Sequence, residues 1–267
     1  MRGIGRGKAL LYALVALAVG AVSYLIGVRS GFGQSAEDSA LGASNFTYDP
    51  PAPLSLVNTA TVAVALLVVA LIAWVYRGPL RAFWILGFSG AALLASQLLK
   101  QQWLERPSFS DLSVDNTFPS GHMTVFAVAV AGLVWAMPAA SRGIVALLGA
   151  LLVGTVSWQL LAFGWHRPSD VLGGIALVVL VFGVASALHP PAKARATRPE
   201  APGAQSMNRV LGAILTITGW VLVGIGLLLV GLAGILGSDE LLLGGSEVAM
   251  VGAGSLAARA FMRLSEW

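Results

Sequence analysis

Long apolar stretches separated by short polar segments dominate the pattern of this chain. Each stretch is roughly 20 residues long, the length an α-helix needs to cross the hydrocarbon core of a bilayer. They comprise Ala9–Val28, Leu54–Tyr76, Ala82–Leu99, Ser120–Met137, Gly143–Trp165, Ser169–Leu188, Val210–Leu236 and Leu241–Leu264. The pattern predicts an all-α polytopic membrane bundle with about eight transmembrane helices.

The first apolar stretch, Ala9–Val28, has a second interpretation as a cleaved signal peptide. The apolar region of a signal peptide is usually shorter, roughly 7–15 residues, and a small-residue cleavage site follows it. The longer uninterrupted stretch favours a retained helix.

Composition supports a membrane protein. The 267 residues are 57% hydrophobic and only 10% charged, whereas a soluble domain has about 25% charged residues. Cysteine is absent, so disulfides and thiol chemistry are excluded. The net charge of +4 is interpreted as basic cytoplasmic loops, and no nucleic-acid partner is expected.

Basic residues are divided unevenly between the two sides that these spans define. With the N-terminus in the cytoplasm, twelve of the sixteen Lys and Arg residues fall in inner segments, as the positive-inside rule requires. The outer four are Arg29, Lys100, Arg106 and Arg167. The sequence therefore predicts a multi-pass protein of a bacterial inner membrane with both termini in the cytoplasm. The basic residues on its outer face need a local reason, and anion binding is one.

The polar stretches between the apolar spans divide the chain into three segments. Residues 1–188 are predicted to form a six-helix core, and residues 189–206, rich in Pro, Ala and Arg, a cytoplasmic linker. Residues 207–267 are predicted to form a transmembrane hairpin, which could dock a partner or form a homo-oligomer.

The candidate chemistry lies between Lys100 and Asp170, where apolar stretches end on the outer side. A phosphate ester requires cations and amide donors around its oxygens. Candidates for that task are Lys100, Arg106, Ser120, Gly121 and Arg167. The Pro-Ser-Gly sequence at the start of a helix adds backbone N–H groups and the positive end of the helix dipole. Lys100 and Arg106 have an alternative role as solvated interfacial charges, and Arg167 as an interfacial anchor.

Two histidines can divide the chemistry of phosphoryl transfer. One neutral imidazole can attack phosphorus while the other protonates the leaving alkoxide. Asp170 follows His166 by four residues, so it can orient one imidazole and stabilise its charged form. His122 is the second imidazole.

These residues resemble the motifs of the type 2 phosphatidic acid phosphatase (PAP2) superfamily, which includes bacterial membrane lipid phosphatases. The family pattern has Lys followed by Arg-Pro, then Pro-Ser-Gly-His, then Ser-Arg followed by His and Asp. The resemblance implies that His166 is the nucleophile, oriented by Asp170, and that His122 is the general acid. It also implies that Lys100, Arg106, Ser120 and the Gly121 amide hold the phosphoryl oxygens. Neither a metal nor another cofactor is expected.

The chain departs from this pattern in two places. Five residues, rather than six, separate Lys100 from Arg106. The family's Ser-Arg falls on Gln159-Leu160, so one arginine ligand for phosphate is missing. Arg167 could replace its charge, or Gln159 could donate a neutral hydrogen bond.

The sequence thus predicts a lipid phosphatase acting at the outer face through a phosphohistidine. Prenyl diphosphates, phosphatidate and phosphatidylglycerophosphate remain open as substrates. The alternative is a lipid-phosphate binding or translocating protein on a degenerate scaffold, which the missing arginine favours.

Overall fold

The computed structural model describes residues 4–109, 115–189 and 202–266. Within these ranges the chain is helical and forms no strand. The α-helices are α1 (Arg6–Ser23), α2 (Gly31–Gly42), α3 (Thr59–Arg77), α4 (Pro79–Leu98), α5 (Gly121–Ala136), α6 (Ala139–Ala162), α7 (Pro168–Leu188), α8 (Pro202–Leu236) and α9 (Asp239–Leu264). In this part of the chain seven helices are long and apolar enough to cross a membrane. The predicted all-α membrane bundle is confirmed.

The fourth predicted span is shorter than expected. Helix α5 has 16 residues, about 24 Å at 1.5 Å per residue, against a hydrocarbon core of about 30 Å. The second span also begins later than predicted. Leu54–Leu56 forms a separate 3₁₀ turn, and Asn58 then caps α3 by accepting a hydrogen bond from Thr61 N at 3.0 Å.

The predicted linker is only partly described. Helix α8 begins at Pro202, so the last residues of that segment are helical, and residues 190–201 lie outside the described part of the chain. Asp111, in the loop between Lys100 and Ser120, also lies outside it.

Helix α7 occupies the centre of the bundle. It contacts α1, α4, α5 and α9, and most of its residues are buried. Proline suits the first turn of a helix, where its missing N–H leaves no bond unmade, and Pro168 starts α7. The first turn of α7 is therefore surrounded by other helices, which fixes the position of the residues it carries.

The last two helices pack closely against each other and against the core. A Cβ atom added at Gly226 of α8 would lie 2.5 Å from the backbone of Gly245 and of Ala249 on α9, so only glycine allows this approach. Helix α9 also packs on α6 and α7, and α8 packs on α6. The division into a core and an appended hairpin stays a prediction.

Candidate active site

The site forms where the C-terminal end of α4 meets the N-terminal ends of α5 and α7. Ser120 caps α5 by accepting a hydrogen bond from Met123 N at 3.2 Å. Its own backbone N–H donates to the carbonyl of Asp170 at 2.9 Å. The starts of α5 and α7 are thus joined directly, which brings the Pro-Ser-Gly-His segment next to the segment from His166 to Asp170.

Asp170 is itself fully buried and is the centre of a hydrogen-bond network. Its Oδ1 accepts from Arg106 Nη2 at 2.9 Å, and its Oδ2 accepts from Thr117 Oγ1 at 2.6 Å and from Arg167 N at 3.2 Å. His166 Nδ1 lies 3.5 Å from Oδ2, at the outer limit of a hydrogen bond. The carboxylate therefore faces one nitrogen of His166 and leaves Nε2 on the other side of the ring.

Arg106 has hydrogen-bond donors that no described residue occupies. Its side chain is only 4% exposed, yet Nε and Nη1 have no hydrogen-bond partner among the described residues. Buried polar groups without partners are uncommon and costly. The guanidinium is thus held by Asp170 on one side and has N–H groups available for an anion.

The two histidines face each other across the site. The ring centroids of His122 and His166 are 5.7 Å apart, and the ring of Trp165 lies 5.4 Å from that of His122. A Cβ atom added at Gly121 would lie 3.6 Å from Lys100 Nζ, so the ammonium group lies beside the start of α5. The one-residue-shorter spacing before Arg106 therefore does not remove Lys100 from the site. The structure brings together Lys100, Arg106, Ser120, Gly121, His122, His166 and Asp170.

Arg167 is paired with an acidic residue. Its Nε and Nη2 donate to Asp38 Oδ1 on α2 at 3.1 Å and 2.7 Å. The guanidinium therefore connects α2 to the start of α7, as an anchor would. Phosphate binding by Arg167 stays a prediction, and it would require this ion pair to rearrange.

Gln159 supports a loop. Its Nε2 donates to the carbonyls of Pro51 and Ala52, both at 3.1 Å, and its Oε1 accepts from Leu54 N at 3.2 Å. The amide nitrogen and oxygen are thus both hydrogen-bonded to this loop and not directed at a ligand. Leu160, in the position of the family's arginine, belongs to the hydrophobic core and brings no charge.

Sequence reasoning missed Glu37, which also supports the site. This residue of α2 accepts two hydrogen bonds from Ser169, from N at 2.7 Å and from Oγ at 2.9 Å. Burial, and secondly the charge of Asp170, raise the pKa of Glu37 to about 7. The sequence placed Glu37 in a polar outer loop, and no spacing linked it to Ser169.

The loop that carries Arg106 is held from the other side of the site. Tyr24 OH donates to the carbonyl of Glu105 at 2.7 Å and accepts from Glu105 N at 3.2 Å. Gln34 Nε2 donates to the carbonyl of Pro107 at 2.6 Å. Both neighbours of Arg106 are therefore fixed by side chains that precede α3.

A cleft of about 430 Å³ leads from the site between α3, α4 and α5. At one end it is lined by Lys100, Gly121 and His122. The rest of its wall is half aliphatic and half neutral polar; it consists of Val57, Val62, Leu93 and Val125 together with Asn58, Thr59, Ser96 and Gln97. This shape and lining suit a molecule with a charged head and an apolar tail.

Metal ligands are not gathered here. Among the described residues, no three or more His, Cys, Asp or Glu side chains are grouped so that they could hold an ion. Independence from metal stays a prediction.

Comparison with known proteins identifies the class. The PAP2 superfamily matches residues 60–194, just over half of the 267 residues. The chain therefore belongs to the PAP2 superfamily, and its class is that of the phosphoric ester hydrolases, here in a multi-pass membrane form. The resemblance seen in the sequence motifs is confirmed.

No curated protein matches the chain. One solved structure that matches is that of a transmembrane PAP2 type phosphatidylglycerolphosphate phosphatase from Bacillus subtilis. It is 21% identical, the match covers 72% of this chain and 99% of that one, and the TM-score is 0.49.

Proposed function

We propose that the protein hydrolyses a lipid phosphate or diphosphate at the outer face of the membrane, through a phosphohistidine on His166. Prenyl diphosphates, phosphatidate and phosphatidylglycerophosphate are the substrate types to test. The observation that carries the proposal is the buried Arg106 guanidinium, paired with Asp170 and retaining two N–H groups without a partner among the described residues. It lies in the same network as His166.

The first step would transfer the phosphoryl group to His166. Because Nδ1 faces Asp170, Nε2 is the nitrogen that attacks phosphorus. A P–N bond forms as the P–O bond to the lipid breaks, and His122 gives its proton to the leaving oxygen. The 5.7 Å between the two rings allows both to reach one phosphoryl group.

The cations and the start of α5 would stabilise the charge that develops on the phosphoryl oxygens. Arg106 offers forked N–H groups and Lys100 a point charge. Ser120 and the Gly121 amide lie at the N-terminal end of α5, where the helix dipole favours an anion. These groups are in place before the ligand arrives, so little reorganisation is needed in the transition state.

The second step would regenerate the enzyme. Water attacks phosphorus as His122 takes up its proton, the P–N bond breaks, and inorganic phosphate leaves. His122 is then protonated again and ready to act as the acid in the next cycle.

The cleft between α3, α4 and α5 supports a lipid substrate. The aliphatic residues of its wall share the cleft with Lys100 and His122, which would hold the phosphate. A lipid could therefore place its headgroup at Lys100 and His122 while its tail stays between helices.

Loss of the family's arginine supports a second candidate, a protein that binds lipid phosphate without hydrolysing it. Leu160 occupies that position in the core, and neither Gln159 nor Arg167 is free as the structure stands. A missing electrostatic contact at a transition state can cost roughly 3–4 kcal/mol.

The test is phosphate release from these lipids by detergent-purified protein, together with trapping of the phosphohistidine. His166→Ala should abolish both signals. His189→Ala, at the other end of α7, is the matched control and should retain them. Lipid binding without release or trapping would instead establish the binding protein.

A further inference from the structure

Two cavities meet at Arg259 and Arg263 on α9. One is an apolar groove of about 570 Å³, and the other a polar recess of about 60 Å³. Both arginines line both cavities, and neither cavity shares a residue with the cleft beside His122. The pair of cavities is therefore distinct from the candidate active site.

The groove lies among the helices of the membrane bundle. Its walls come from α1, α7, α8 and α9 and include Val15, Leu172, Ile175, Trp220 and Leu256. Apart from Tyr12, Thr216 and the two arginines, the lining is entirely hydrocarbon or indole. A groove of this kind suits an acyl chain and not a polar solute.

The recess concentrates positive charge at the inner ends of α6, α8 and α9. Arg142 and Arg209 line it together with Arg259 and Arg263, and the one acidic group is Glu266. Arg263 is paired with Glu266 at 3.2 Å. Four guanidinium groups beside one carboxylate leave a net charge of +3 in a small space, which favours an anion.

Arg259 has the geometry of a ligand-binding residue. Within the described residues its guanidinium forms no ion pair with another side chain. Its guanidinium packs on Gly212 of α8, where an added Cβ would lie 2.6 Å from Nη1. The absence of a side chain at position 212 thus gives Arg259 its place between α8 and α9, at the junction of recess and groove.

We propose that these cavities hold one anionic phospholipid, with its phosphate at Arg259 and Arg263 and an acyl chain in the groove. This goes beyond the proposed phosphatase activity, since the lipid is bound and not hydrolysed. Charge complementarity selects the anionic headgroup, and the continuous apolar wall selects a lipid over free phosphate. Because the groove is built from both the core and the hairpin, the lipid joins α8 and α9 to α1 and α7.

The experiment compares phosphatidylglycerol with phosphatidylcholine of the same acyl chains, measured by native mass spectrometry of the full-length protein. It uses a His166→Ala background, which prevents turnover. The wild-type groove should retain phosphatidylglycerol preferentially. Arg259→Gln with Arg263→Gln should weaken that retention about tenfold or more, since both guanidinium groups line the recess and the groove and charge-assisted hydrogen bonds to phosphate are strong.

Matched variants separate a seated lipid from general surface charge. Arg6→Gln with Lys8→Gln removes the same charge from exposed positions at the start of α1, and retention should stay within about twofold of wild type. Ala253→Phe, which fills the groove, should also reduce retention while leaving every arginine in place. Tryptophan fluorescence during thermal unfolding checks that each variant is folded.

Three results would overturn the proposal. These are equal retention of the two lipids, equal loss in the Arg6 and Lys8 variant, and full retention in folded Ala253→Phe. If the double arginine variant does not fold, two measurements still test the proposal. They are the lipid preference of the protein with an unaltered groove and the retention by Ala253→Phe.

Discussion

Glu37 and Ser169 form a two-point contact between α2 and the first turn of α7. The carboxylate accepts from the backbone N–H at 2.7 Å and from the hydroxyl at 2.9 Å. Ser169 directly precedes Asp170, whose carboxylate holds Arg106 and faces His166. A residue of α2 therefore positions the group that orients the proposed nucleophile.

Removing this contact should reduce phosphate release without removing a reacting group. Glu37→Ala leaves the Ser169 N–H unpaired and frees the first turn of α7, so turnover should fall about 10- to 100-fold, because small displacements of catalytic groups are costly. Glu37→Gln can accept from the N–H and donate to the hydroxyl, so it should retain most activity. A comparison of kcat and KM checks this, since the loss should lie in kcat. Equal loss in both variants would contradict a positioning role.

Stability should depend on the protonation of Glu37. Its pKa is about 7 in the folded protein, against 4.5 ordinarily. Between these values the folded protein holds a proton that the unfolded chain has released, so the free energy of unfolding falls as the pH rises through this window. The full effect is on the order of 3 kcal/mol.

Thermal unfolding of wild type and Glu37→Gln in detergent isolates this effect, because other titrations cancel in the difference. From about pH 5 to about pH 8 the wild type should lose stability relative to the variant. A difference that is independent of pH would show that Glu37 does not titrate in this range.

Gly27 should be required for the same contact. An added Cβ there would lie 2.5 Å from Ser169 Cβ and 2.9 Å from Glu37 Oε1, so Gly27→Ala must push Ser169 away and lower turnover. Gly20→Ala is the matched control on the same span, since its Cβ would meet Ala176 Cβ at an ordinary 3.5 Å. Phosphate release should separate the two, and an equal loss in both would point to a general effect on the helix.

Gln159 should contribute to stability. Gln159→Ala leaves the N–H of Leu54 and the carbonyls of Pro51 and Ala52 without this partner, so unfolding should become easier by roughly 1–3 kcal/mol. Ser157→Ala, on the same helix, removes a buried hydroxyl without a partner among the described residues and should have little effect. If folded Gln159→Ala protein retains its stability but loses phosphate release, Gln159 acts on the ligand.

Filling the cleft should discriminate between lipid and soluble substrates. Val62→Trp narrows the cleft beside the site. The KM for a lipid phosphate should therefore rise about tenfold, while a short water-soluble phosphate ester is hydrolysed at the same rate as by wild type. Leu67→Trp, on a 65% exposed position of α3, is the control. Equal effects on both substrates would exclude the cleft as the place of the lipid tail.

The fold and the main components of the site could be predicted because each has a local pattern. Spans are marked by their apolar length, and Ser120, His122, His166 and Asp170 lie at helix starts that the sequence itself indicates. The predicted ends were less accurate. Leu54 begins a separate turn, since Asn58 offers a better cap for the helix that follows.

The supporting residues could not be predicted because their partners are distant in sequence. Glu37 and Ser169 are 132 positions apart, and Tyr24 and Glu105 are 81 apart. Gln159 shows the converse difficulty. Its place in a family motif suggested that it binds phosphate. The structure shows instead that its amide is hydrogen-bonded to the loop before α3.

The shortness of α5 has an energetic consequence for the lipid. A helix of about 24 Å cannot reach both surfaces of a hydrocarbon core of about 30 Å, so one of its ends lies below a surface. With the cleft opening beside Gly121 and His122, the headgroup can move to the site while the tail stays solvated by its neighbours. Extracting a tail into water would cost about 0.8 kcal/mol for each CH₂ group, and this arrangement avoids that cost whatever the length of the tail.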